Sequence, residues 1–201
     1  SRTWRLNSEG STNGDFITVQ DLDSNRGVVY SNYRSGGTNR IIAYHSWDDF
    51  EDADRNTNAP NIIMTGSLDG NVSAIKVSPY TTDSSTIFVG TESGSVFKVT
   101  NADTADANDN STANWSNITG SQFLGSVSDI EFGKDENHLF VTFHNYGVEN
   151  IFYSEDGGQS WTEKEGNLPD IPVRCILQNP LSLNEVIIGT ELGVWYTKNF
   201  E

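Results

Sequence analysis

Six side chains in four short polar stretches could grip a polar molecule together: Tyr33, Arg34, Glu92, His144, Tyr146 and Glu191. They sit in "SNYRSGG" (Ser31–Gly37), "TESG" (Thr91–Gly94), "FHNYG" (Phe143–Gly147) and "TELG" (Thr190–Gly193). The rings offer apolar faces, and the carboxylates, imidazole and guanidinium offer directional hydrogen bonds, which suits a glycan or a protein ligand. Taken singly, each is also an ordinary turn residue. Catalysis asks for more. Inverting glycoside hydrolysis needs two carboxyl groups about 6.5–9.5 Å apart, and the best-placed pair is Asp15 and Asp129, each directly before an apolar anchor, Phe16 and Ile130. Their counterparts before the other anchors, Ala74 and Cys175, are not acidic, so the plainer reading is that both aspartates lead into strands. His45, His138 and His144 assemble no Ser/His/Asp triad, and no glycine loop precedes a helix to cradle phosphate.

Alternating oxygens can converge on a hard cation. "DADRNTN" presents Asp52, Asp54, Asn56 and Asn58, and "DANDN" presents Asp106, Asn108 and Asn110. Neither has the glycine or closing glutamate of an EF-hand loop, so Ca²⁺ is the one cofactor these residues suggest, set against a solvated acidic loop. Sequons at Asn71, Asn110, Asn114 and Asn117 fall mostly in one Asn/Ser/Thr-rich stretch and carry little weight.

The net charge of -16 opposes nucleic acid and anionic membrane surfaces, both of which need Lys and Arg. The single cysteine, Cys175, leaves no intramolecular disulfide, and its place in "VRCIL" predicts a buried structural thiol. No apolar run approaches the ~20 residues of a membrane span. The opening "SRTWRLNSEG" lacks the layout of a signal peptide and reads as a mature or excised piece.

The elements that must position these groups repeat. Helical periodicity is absent, and short runs of Val, Ile, Phe and Tyr recur between Gly, Asn, Asp, Ser and Pro. "IKVSPYTTDSSTIFVGTESGSVFKVT" from Ile75 matches "ILQNPLSLNEVIIGTELGVWYTKN" from Ile176, with "IEFGKDENHLFVTFHNYGVENIFYS" from Ile130 between them. A more diverged unit starts at Phe16, and the anchors Phe16, Ile75, Ile130 and Ile176 are 59, 55 and 46 residues apart. Each unit has three apolar runs, A to C, and a fourth, D, at "NIIMT", "NWSNI" and "SWTEK". Four strands at this spacing are the pattern of β-propeller blades. The spacing predicts an all-β propeller-like chain of about four blades of four antiparallel strands: 12–65, 66–120, 121–167 and 168–201. The last unit lacks a D strand, which residues 2–7 around Trp4 would supply if the ring closes; otherwise the chain is a segment of a larger propeller, or a second copy caps the edge.

"SEDGGQSW", Ser154 to Trp161, fits the pattern S-x-D-x-G-x-x-W. On it the chain resembles the Asp-box (BNR repeat) propellers, which include sialidases, sortilin-type receptor domains, xyloglucan-active endoglucanases and modules of large secreted bacterial surface proteins. "GTELGVWYTKNF" looks most like the last group. The resemblance implies a structural role for Ser154, Asp156, Gly158 and Trp161, on the rim between strands C and D and far from any catalytic centre. The residues agree: an aspartate can accept turn N–H groups, and Gly157 and Gly158 can take positive φ. The arginine cluster of a sialidase is not matched. The expectation is a non-catalytic binding or scaffold module of a secreted or cell-surface protein, with no membrane insertion and a glycan or protein ligand. The alternatives are a fragment of a propeller glycoside hydrolase carrying Asp15 and Asp129, and a sortilin-like ligand-binding domain.

Overall fold

The computed structural model describes residues 17–45, 62–64, 66, 68–105 and 113–200. They form fifteen strands in four antiparallel sheets, each built from strands consecutive in the chain. The first sheet comprises β1 (Gln20–Asp23), β2 (Val28–Ser35), β3 (Thr38–Tyr44) and β4 (Ile62–Met64). The second comprises β5 (Val72–Val77), β6 (Ile87–Thr91), β7 (Val96–Thr100) and β8 (Asn114–Asn117). The third comprises β9 (Val127–Phe132), β10 (Leu139–Phe143), β11 (Ile151–Ser154) and β12 (Thr162–Glu163). The fourth has three strands: β13 (Val173–Gln178), β14 (Val186–Thr190) and β15 (Gly193–Thr197). The expected A–B–C–D order is therefore present in three units. The strand expected at residues 2–7 lies outside the described residues.

The sheets are stacked face to face, and three apolar clusters fill the gaps. Tyr30, Ile41, Met64, Ile87 and Val89 join the first sheet to the second. Phe88, Val96, Val127, Ile130 and Val141 join the second to the third. Phe140, Ile151, Val173, Ile176 and Ile188 join the third to the fourth. The inner strands β6 and β10 are buried at every residue, because each lies in a sheet covered on both faces. A fully buried side chain of this size contributes roughly 1.5–3 kcal/mol, so Phe88, Phe140 and their neighbours are the main source of stability.

Polar ties run between sheets as well. Val77 N–H donates to Asp21 Oδ2 at 2.8 Å, Lys76 Nζ to Glu131 Oε2 at 2.7 Å, and Ile176 N–H to Asp129 Oδ2 at 3.1 Å. Cys175 departs from its expected burial. It is exposed, on the face of β13 turned away from the third sheet, because nothing described covers that side.

Candidate functional site

All connections from the second to the third strand of each sheet fall at one end of the stack, together with the links from sheet to sheet. One backbone bond repeats there. Asn32 N–H donates to Val19 O at 3.2 Å, Glu92 N–H to Asn71 O at 2.9 Å, His144 N–H to Ser126 O at 3.0 Å, and Glu191 N–H to Pro172 O at 3.4 Å. Asn32, Glu92, His144 and Glu191 thus hold equivalent positions, set by the same clasp in successive sheets. Next to each of the last three, the first strand carries an extra residue. The ladder skips Ser73, Ser128 and Arg174, which is a β-bulge at the same place in three sheets. A bulge bends its strand and re-aims the side chain it carries.

The bulge brings Arg174 onto Glu191. Glu191 Oε1 lies 2.9 Å from His144 Nε2 and accepts a hydrogen bond from Arg174 Nη2. His144 and Arg174 hold the Glu191 carboxyl below the usual carboxylate range. Two residues on from His144 is Tyr146, and next to Glu191 in the chain is Leu192, exposed at 63% and 69%. The Tyr146 loop is pinned by Gly147 N–H donating to Asp170 Oδ1 at 2.7 Å and by Ser126 N–H donating to Asn145 Oδ1 at 2.7 Å, with Gly147 at φ 73°. Glu92 is turned instead to its own sheet, accepting from Asn71 Nδ2 at 2.8 Å.

The six expected rim residues therefore divide. His144, Tyr146 and Glu191 come together, and Glu92 is on the same end in the second sheet. Tyr33 and Arg34 are not loop residues: β2 runs on through them, the turn is only Gly36–Gly37, and Tyr33 is 7% exposed. Arg174 was not expected, since a lone charged residue in "VRCIL" gives no sign of the bulge. Of the acidic pair, Asp15 lies outside the described residues. Burial raises the Asp129 carboxyl, and it ties the third sheet to the fourth through Ile176. The residues expected to hold Ca²⁺, Asp52, Asp54, Asn56, Asn58, Asp106, Asn108 and Asn110, also lie outside the described ones. A different acidic trio is described, Glu149, Glu163 and Glu165, whose oxygens lie within 4.8 Å of one another. Burial and Glu149 push Glu165 up to about 7, so a shared proton relieves the repulsion.

The opposite end of the stack is fastened. Gly158 N–H donates to the buried Ser154 hydroxyl at 2.8 Å, which itself donates to Asp156 Oδ1 at 2.8 Å. Ser160 gives Asp156 both its N–H, 2.8 Å, and its hydroxyl, 2.6 Å, and these bonds push the Asp156 carboxyl down to about 2. Gly157 and Gly158 have φ of 73° and 90°, and Trp161 Nε1–H donates to Ile118 O at 2.8 Å. Each group in this turn closes the turn or ties it to the second sheet. At the same end a cavity of about 710 Å³ opens among Asp21, Lys76, Tyr80, Glu131, Lys134 and Gln178, drawn from all four sheets.

This succession of antiparallel sheets superposes on known structures. The sheets stack as in GH74 propeller enzymes. The GH74 xyloglucanase from Xanthomonas campestris superposes with a TM-score of 0.59 at 11% identity, over 90% of this chain and 29% of that one. An ancestral GH74 enzyme gives 0.58 at 20% identity over 92% and 22%, and the Niastella koreensis GH74 enzyme 0.57 at 16% over 88% and 26%. The chain thus spans under a third of the length of each, and at these identities the likeness is one of fold. No family model and no curated protein matches the sequence.

Proposed function

We propose that the chain is a non-catalytic propeller module of a secreted or cell-surface protein that binds a glycan at the rim built by His144, Arg174 and Glu191. The observation that carries this reading is the Glu191 carboxylate, fixed by two donors on one oxygen, with the exposed Tyr146 on the loop that supplies His144. Its second oxygen has no hydrogen bond among the described residues, which leaves an acceptor for a sugar hydroxyl. Arg174 retains further N–H donors, and the Tyr146 ring supplies a stacking face. The charge of -16 keeps nucleic acid away from the same rim. Among the described residues no helix is long and apolar enough to cross a membrane.

A second reading, a fragment of a propeller glycoside hydrolase, is favoured by the xyloglucanase among the fold neighbours. Affinity electrophoresis in gels containing xyloglucan or other soluble polysaccharides separates the two. Retardation that Glu191→Gln and Tyr146→Ala each weaken roughly tenfold, with thermal unfolding unchanged, supports the module. Release of reducing ends that Asp129→Asn abolishes supports the hydrolase, and no retardation by any polysaccharide overturns the glycan reading.

A further inference from the structure

The two faces of the fourth sheet are built alike and treated differently. On the face toward the third sheet, Val173, Ile176, Val186 and Ile188 are 0–7% exposed. On the other, Leu177 is 54% exposed, Ile187 43%, Val194 71% and Tyr196 74%, and Cys175 is exposed with them. Register shows what these positions do elsewhere. Ile187 pairs with Tyr196 as Phe140 pairs with Tyr153 and Phe88 with Lys98. Phe88 and Phe140 are 0% exposed because the next sheet covers them. Val194 likewise matches Val96 and Ile151, which are 0% and 5% exposed.

A glycine repeats the point. A Cβ on Gly90 would stand 2.4 Å from Val127 of the next sheet, so that glycine exists to admit a neighbour's valine. Gly189 occupies the same place in the fourth sheet, in "VIIGT" against "IFVGT", and meets only the sulfur of its own sheet's Cys175. The outer edge is open too among the described residues: β15 pairs there with no fourth strand, where β7 and β11 pair with β8 and β12.

We propose that this face and the edge of β15 receive a further propeller blade: a D strand on β15, then a sheet whose first two strands press branched apolar side chains onto Ile187, Gly189 and Val194. The occupant is a blade because the positions continue an interface that the chain already forms three times, and Gly189 repeats the glycine by which the second sheet admits Val127 of the third. A second copy meeting face to face would close the stack by pairing this surface with itself, whereas each interface already formed sets the first two strands of one sheet against the outward face of the sheet before it.

Cys175, the only cysteine, lies in this face and reports its cover. Maleimide labelling of the 201-residue chain, with its mass read by light scattering, should find one copy and a thiol reacting at nearly the rate of the unfolded chain. A chain extended after Thr197 by a second copy of residues 155–197, with the copied cysteine changed to serine, should slow labelling at least about tenfold. A dimer that shields Cys175, a monomer that shields it unaided, or a folded extended chain labelling at the original rate would each overturn the proposal. The unextended chain decides alone where the extension does not fold: a free thiol on a monomer upholds the open face, and a shielded one overturns it.

Discussion

The third and fourth sheets share a strand order, a clasp and a bulge, yet among the described residues one is packed on both sides and the other on one. In β10 every residue is buried, whereas β14 alternates, with Ile187 facing out between buried Val186 and Ile188. The difference teaches that burial here belongs to the stack rather than to the strand. A run such as "VIIGT" carries the pattern of two-sided cover whether or not a neighbour is present to provide it.

Paired substitutions at equivalent positions sharpen this contrast or break it. Phe140→Ala should cost about 3–5 kcal/mol in urea denaturation, while Ile187→Ala should stay within about 0.5 kcal/mol. Equal losses would mean the outward face is packed. Gly90→Ala drives a methyl into Val127 and should cost roughly 1–3 kcal/mol, whereas Gly189→Ala needs only the Cys175 sulfur to swing aside and should be near neutral. Ser154 and Thr197 end equivalent strands, but only Ser154 is buried at the centre of a closed turn. Ser154→Ala should therefore lower stability by about 1 kcal/mol, the net contribution of a hydrogen bond, and Thr197→Ala should be neutral in the same assay.

A separate effect is electrostatic. Burial beside Glu149 raises the folded Glu165 carboxyl to about 7, above its unfolded value, so the protonated form is favoured on folding. That stability is present at pH below the unfolded value and is lost as pH rises toward 7. Glu165→Gln should therefore flatten the decline in denaturation midpoint between about pH 5 and about pH 8.

Much of the stack was legible because strand alternation and turn residues are local. Val127–Phe132 and Leu139–Phe143 are strands with the expected ends, and the D runs at "NIIMT", "NWSNI" and "SWTEK" all pair as fourth strands. What escaped depends on neighbours. Arg174 reaches Glu191 only because the ladder skips it, and a skipped residue leaves no mark in composition. Tyr33 was expected on a loop because "SNYRSGG" is rich in turn formers, but β2 and β3 pair through seven residues and the turn shrinks to two glycines. Cys175 looked like a core thiol because its flanking Ile and Val are core residues, and their faces are the covered ones. Asp129 was read as one of an acid pair or a strand-entry residue, and the Ile176 N–H that its carboxylate accepts crosses an interface that sequence alone does not display.

One measurement reaches the centre of this account: the reaction rate of the Cys175 thiol against that of a thiol at the equivalent position of the second sheet, introduced as Ala74→Cys in a Cys175→Ser background. Ala74 is 7% exposed and lies in the cluster between the second and third sheets. The account predicts that Cys175 reacts freely in the folded chain and that the thiol at position 74 reacts only as fast as the chain opens. Equal protection at both positions, or equal reactivity, would contradict it.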